Sequence, residues 1–167
     1  MISYYLLIII LFYIFYEDFK YLGISWPIFP LLLLVSALYS TYKYTFFKEV
    51  VSAQIINTSI YAIQLSLLFI YISIKEKKIT DITKNYFGLG DILFSICIAS
   101  TFSTYNFILF HLFSTFFSII IWSVLYKLKI YKSNRIPYAG LQASYILLLE
   151  LLSIKVRSLN AYSISSI

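Results

Sequence analysis

An all-α membrane protein with six transmembrane helices is the expectation from three features of this sequence. Apolar residues make up 61% of its 167 residues and charged residues only 12%, where a soluble domain carries about a quarter. The mean hydropathy is +0.87. The apolar residues fall into six segments separated by short polar loops, and the length suits a single domain over residues 1–167.

The first segment runs from about Ile2 to Tyr16. It lacks the basic start and small-residue cleavage site of a secretory signal peptide, because the first positive charge is Lys20 and Tyr16-Glu17-Asp18 follows the apolar run. It is expected to remain in the mature protein. The second, about Ile24 to Tyr42, places Pro27 and Pro30 in its first turns, where proline is tolerated. The third, about Val51 to Ile74, carries Gln54, Asn57 and Gln64, amides expected at helix–helix contacts. The fourth starts near Phe87, ends near Ser103 and opens with Gly88-Leu89-Gly90-Asp91. The fifth runs from Tyr105 to about Tyr126, with His111 at mid-span, and the sixth from Tyr138 to about Ser153. Spanning a bilayer takes roughly 20 residues. Segments one, four and six are short for that, so their polar ends are expected in a protein-lined, wetted recess. The abundant Tyr and Phe suit lipid-facing and interfacial positions.

Loop charges orient the spans. Lys20, Lys75, Lys77, Lys78, Lys84, Lys127, Lys129, Lys132 and Arg135 fall on one side, against Lys43, Lys48, Lys155 and Arg157 on the other. The richer side is expected to be cytoplasmic, with both termini outside. Asp18 follows the first segment and Asp91 opens the fourth, so both belong to the cytoplasmic side.

Asp18 and Asp91 are the candidates for chemistry. A carboxylate at a membrane boundary is costly to keep and marks a functional position. If two converge at one depth, repulsion and partial desolvation leave one protonated and one ionised, and the pair titrates as a unit. The ionised member can take a proton from water while the protonated member polarises a carbonyl, as in aspartic proteases. Gly88 and Gly90 let a neighbouring backbone approach. The plainer readings are that Asp91 caps its helix and that Asp18 is solvated in a short loop. Glu17 competes with Asp18, but successive helical residues point about 100° apart, so it faces elsewhere. His111 reads as an interhelical hydrogen-bonding group, and Glu150 lies near the outer face. There is no HExxH, no histidine–cysteine cluster, no Walker A motif and no dinucleotide fingerprint, so no metal or other cofactor is expected. Cys97 is the only cysteine, which rules out an internal disulfide. The lysine-rich loops read as orientation by positive charge; membrane lipid is the expected surrounding and no nucleic acid is expected.

Three stretches carry a family resemblance. Asp18, Lys20 and Ile24 are similar to a pattern of aspartate, a basic residue two positions on, and then Ile-Pro-Asn. Gly88 to Asp91 matches Gly-x-Gly-Asp, and Ile136-Pro137-Tyr138-Ala139 is similar to Ile-Pro followed by an aromatic and a small residue. With the order of the spans, these resemble the aspartic prepilin peptidase family, which includes preflagellin peptidases. Ser25 and Trp26 stand where that family has Pro-Asn, and Leu93 where a lysine usually follows. The resemblance implies a catalytic pair Asp18 and Asp91 supported by Gly88 and Gly90. It implies an endopeptidase in the inner membrane of a prokaryote, its site facing the cytoplasm, that cuts the leader of prepilin-like or pseudopilin-like substrates of type IV pilus or secretion systems. Bifunctional members carry an N-terminal methyltransferase region; this sequence opens on its first segment, so a peptidase alone is expected. Presenilin-like proteases also use Gly-Leu-Gly-Asp but put their aspartates on adjacent helices. Two further alternatives stay open: a catalytically idle relative that binds pilin-like helices or acts in assembly, and a small transporter relaying protons. The oligomeric state is not readable from the sequence.

Overall fold

The computed structural model describes residues 2–43, 47–77, 88–129, 131 and 135–159. Lys78, Lys84, Phe87 and Lys132, invoked above, lie outside the described residues. Among those described there are six α-helices and no strand: α1 (Ile2–Tyr21), α2 (Ile28–Lys43), α3 (Phe47–Glu76), α4 (Leu89–Ile98), α5 (Thr104–Lys127) and α6 (Tyr138–Leu159). A 3-10 turn, Ala99–Thr101, continues α4. The all-α expectation holds. Helices α1, α3 and α5 are long and apolar enough to cross a membrane, whereas the apolar stretches of the others are shorter.

The helices pack by the spacing of their apolar residues. Leu7, Ile10, Leu11 and Ile14 recur at three- and four-residue intervals and turn one stripe of α1 inward. They meet Leu32 and Val35 of α2, Phe94 and Ile98 of α4, and Ala139, Ala143, Ile146 and Leu147 of α6. The alanines let α6 lie close against α1. A second, smaller cluster of Tyr61, Ala99 and Phe107 joins α3 and α5 to the 3-10 turn. The outer faces are equally apolar: Ile9, Phe12, Ile63, Leu67, Ile70, Phe113 and Ile120 are all exposed. A helix apolar all round belongs in lipid, so this is a helical membrane protein.

The ten-residue α4 stops inside the bundle, where its last carbonyls have no helical partner. Polar side chains of α2 and α3 supply one. Ser36 Oγ donates to the Cys97 carbonyl at 2.6 Å, and Ser40 Oγ to that of Ser100 at 2.8 Å. Gln54 Nε2 donates to Ile96 at 2.9 Å, and Asn57 Nδ2 to Ala99 at 2.8 Å and Phe102 at 2.9 Å. Irregular backbone at this depth persists only where protein satisfies it.

The first helix corrects one expectation. It does not end at Tyr16 but runs to Tyr21, where Leu22 turns left-handed (φ 54°) and its N–H donates to the Asp18 carbonyl at 2.9 Å. Asp18 therefore sits in the last turn of a helix and not in a solvated loop. Glu17 and Asp18 read as a boundary in the sequence because they are charged. The helix continues through them because both carboxylates find partners.

Candidate active site

The site is organised by the start of α6. Pro137 precedes that helix and its carbonyl accepts the Leu141 N–H at 3.0 Å. A serine or aspartate at this cap position would take the second or third N–H of the helix with its own side chain. Proline has no acceptor there, so the N–H groups of Ala139 and Gly140 are left for other partners. Asp18 Oδ2 accepts from Gly140 at 2.7 Å, and Asp91 Oδ1 accepts from Ala139 at 2.8 Å. Two carboxylates from helices distant in the chain are thus anchored on adjacent backbone amides, at the positive end of a helix dipole. Asp91 Oδ2 also accepts from the Gly88 N–H at 3.1 Å, so Asp91 caps its own helix while it reaches α6. The capping reading and the paired reading are one geometry.

The glycines differ in what they permit. A Cβ on Gly140 would stand 3.1 Å from Asp18 Cβ and 3.2 Å from its Oδ2. One on Gly88 would stand 3.0 Å from Asp91 Oδ2, whereas one on Gly90 would make ordinary contact with Ile24 and Phe29 at 3.6–3.8 Å. Gly88 keeps the Asp91 carboxylate in place, and Gly90 lets α4 pack beneath the α1–α2 turn. Gly140, with the larger part in holding Asp18, was not singled out from the sequence; it stands one residue beyond the Ile136–Ala139 stretch.

Asp18, Gly88, Gly90 and Asp91 border a cavity of about 740 Å³. Its long walls are Tyr61, Gln64, Leu65 and Leu68 of α3 and Ile108, His111, Leu112, Thr115, Phe116 and Ile119 of α5. Each set follows helical spacing, so two single stripes face each other across a cleft. The α5 stripe is about 16 Å long. Ile108, Leu112, Phe116 and Ile119 are also exposed, so the cleft is open along its side. The α1–α2 turn contributes Leu22, Gly23 and Ile24 beside the carboxylates.

The other candidates fall into place around this cavity. His111 packs its ring on Tyr61, with centroids 4.9 Å apart, and places Nδ1 3.4 Å from Gln142 Nε2 of α6. It is the interhelical group expected and also lines the cleft. Gln54 and Asn57 make interhelical contacts, whereas Gln64 is exposed and lines the cavity. Thr115 Oγ1 and the Tyr138 hydroxyl pair at 2.7 Å across α5 and α6, a link the sequence reading missed. Glu17 faces away from Asp18's partner, towards Ser25. Glu150 accepts from the Tyr4 hydroxyl at 3.2 Å. Lys20 is exposed, donates to the Tyr16 hydroxyl at 2.8 Å and lies over the Tyr16 and Tyr21 rings. Leu93, where the resemblance expects lysine, packs against the core. Among the described residues no three of His, Cys, Asp and Glu gather as metal ligands. Compared with known proteins, the chain matches no family model, no curated protein and no solved structure.

Proposed function

We propose that the chain is an intramembrane aspartyl endopeptidase of the prepilin-peptidase type, with Asp18 and Asp91 as its catalytic pair. One observation carries this reading: the two carboxylates accept hydrogen bonds from the adjacent N–H groups of Gly140 and Ala139 and border one cavity. Asp18 spends one oxygen on its amide, whereas Asp91 accepts at both, from Ala139 and Gly88, and each oxygen retains a second lone pair. A pair held this way can keep one proton between its members and hold a water. The ionised carboxylate takes a proton from the water as its oxygen attacks the scissile carbonyl carbon. The protonated carboxylate donates to the carbonyl oxygen. As the carbon–nitrogen bond of the resulting gem-diol breaks, the newly protonated carboxylate gives its proton to the leaving nitrogen and the other takes one back from a diol hydroxyl, so the pair again holds one proton.

The cleft supports a substrate of two parts. An extended leader reaches the carboxylates while an adjoining apolar helix, as in a prepilin-like or pseudopilin-like protein, lies along the facing stripes of α3 and α5, the latter exposed. In this reading all six helices cross the inner membrane of a prokaryote, and the basic bias supports a cytoplasmic aspartate end. Cleavage of a co-expressed prepilin-like substrate in membranes tests it. Asp18→Asn and Asp91→Asn each keep an oxygen for the α6 amide but cannot share the proton, so each is expected to lower cleavage about a thousandfold or more. Retained cleavage by either variant would sink the aspartyl mechanism.

Leu93 favours a second reading, since it packs against the core where the family pattern has a lysine. A catalytically idle relative would bind pilin-like helices in the same cleft, and the wild-type chain would then capture such a helix without cutting it.

A further inference from the structure

Glu17 is nearly as buried as Asp18, at 7% exposure, yet it takes no part in the carboxylate pair. A buried carboxylate without partners is strongly destabilising, and an acid near a helix C-terminus opposes the dipole. Glu17 must therefore be held by specific bonds, and the structure supplies three. Its Oε2 accepts the Ser25 N–H at 2.9 Å, and its Oε1 accepts the Tyr13 hydroxyl at 3.4 Å and, more closely, the Ser25 hydroxyl. Both donor groups of one residue converge on one carboxylate.

Ser25 ends the turn that carries Leu22, Gly23 and Ile24, the stretch that walls the cavity beside the aspartates. Ile24 lies over Gly90, one residue before Asp91. The left-handed Leu22 at the other end of the turn is a conformation that a bulky residue adopts only under constraint. With α1 fixing one end and the Glu17–Ser25 bonds the other, the turn has little freedom. Proline at position 25 would have no N–H to give. Serine in its place supplies two donors, so bonds to Glu17 do here what a ring does by covalent rigidity.

We infer that Glu17 is a positioning residue: through Ser25 it holds the Gly23–Ile24 wall over the Asp91 turn, and so sets how tightly a substrate chain is held beside the two aspartates. The kinetic part of this inference rests on the peptidase reading above; the clamp itself does not. The test uses the full-length chain with Cys97→Ser. Gly23→Cys carries a nitroxide label, because a side chain there meets nothing within 4 Å. Glu17→Ala and Ser25→Ala are each expected to shift its spectrum towards higher mobility, and the double variant to shift it no further. Ser25→Ala leaves the carboxylate in place and gives the same readout should Glu17→Ala fail to accumulate. On a prepilin-like substrate, either substitution is expected to raise KM about tenfold while kcat changes less than about threefold, and Glu17→Gln, which keeps one acceptor oxygen, is expected to restore most of the loss. An unchanged spectrum in the folded variants overturns the inference, as does a fall in kcat at constant KM. A mobile label in a chain whose parent cuts nothing supports the clamp and removes the peptidase reading instead.

Discussion

Asp18 and Asp91 are reachable from the amides of α6 only because glycine stands at the contact points, and the three glycines do not contribute equally. At Gly140 an added methyl meets the Asp18 Cβ, the near end of a side chain that cannot swing away without α1 moving. At Gly88 it meets only the far oxygen of Asp91, which can rotate at the expense of its bond to the Gly88 N–H. At Gly90 it fits. Cleavage per folded protein is therefore expected to fall in the order Gly140→Ala, then Gly88→Ala, then Gly90→Ala, with a loss of about tenfold or more at Gly140. Gly90→Leu, whose branch would run into Ile24 and Phe29, is expected to lose activity while still inserting. A Gly140→Ala variant as active as its parent would show that the Asp18 anchor is dispensable. The aspartates were legible in the sequence because charge is rare in so apolar a chain. Gly140 was not, because a glycine in a helical run carries no signal until its neighbour across the interface is known.

Helices α2, α3 and α4 depend on one another through side-chain bonds to backbone carbonyls. Asn57 is fully buried and serves two of them, so Asn57→Leu, of the same branching but bulkier, leaves both without a donor. The expected cost is about 2 kcal/mol or more, seen as unfolding at lower denaturing-detergent concentration. Ser40→Ala removes one such bond and is expected to cost about 1 kcal/mol. Equal stability of Asn57→Leu and wild type would contradict the role assigned to this seam. The sequence placed Gln54 and Asn57 at helix contacts correctly, since an amide in an apolar span has nowhere else to go. It could not tell that their partners are carbonyls, because the early end of α4 is set by packing. The end of α1 was misplaced for the opposite reason: Glu17 and Asp18 have the look of a boundary, and only Ser25 and Gly140 show that they are satisfied within the fold.

The bundle has a basic end. Phe19 at the end of α1 meets Tyr131, with ring centroids 6.0 Å apart, so Tyr131, beyond α5, lies at the Asp18 end of α1. Lys20, Lys75, Lys77, Lys127 and Lys129 close the helices that reach this end. Single cysteines at positions 77 and 129 in a Cys97→Ser background are expected to react with a membrane-impermeant maleimide only after the cytoplasmic side is opened. Strong labelling from outside would reverse the orientation. The number and order of apolar segments were plain from hydropathy. The cleft between α3 and α5 was not, because it depends on how two outward-looking stripes come to face each other. Four of the donors at the end of α4 and its 3-10 turn, Ser36, Ser40, Gln54 and Asn57, precede it in the chain, and Thr101 adds a bond to the Ile98 carbonyl from within the turn. A chain made from its N-terminus therefore has those donors in place before the short helix arrives, and a segment the bilayer would refuse alone enters a berth already prepared. The amides that gather Asp18 and Asp91 come last, with α6. Until that helix docks, the two carboxylates lack the amides that anchor them, so in the proposed reading a nascent or truncated protein would lack a fully assembled pair.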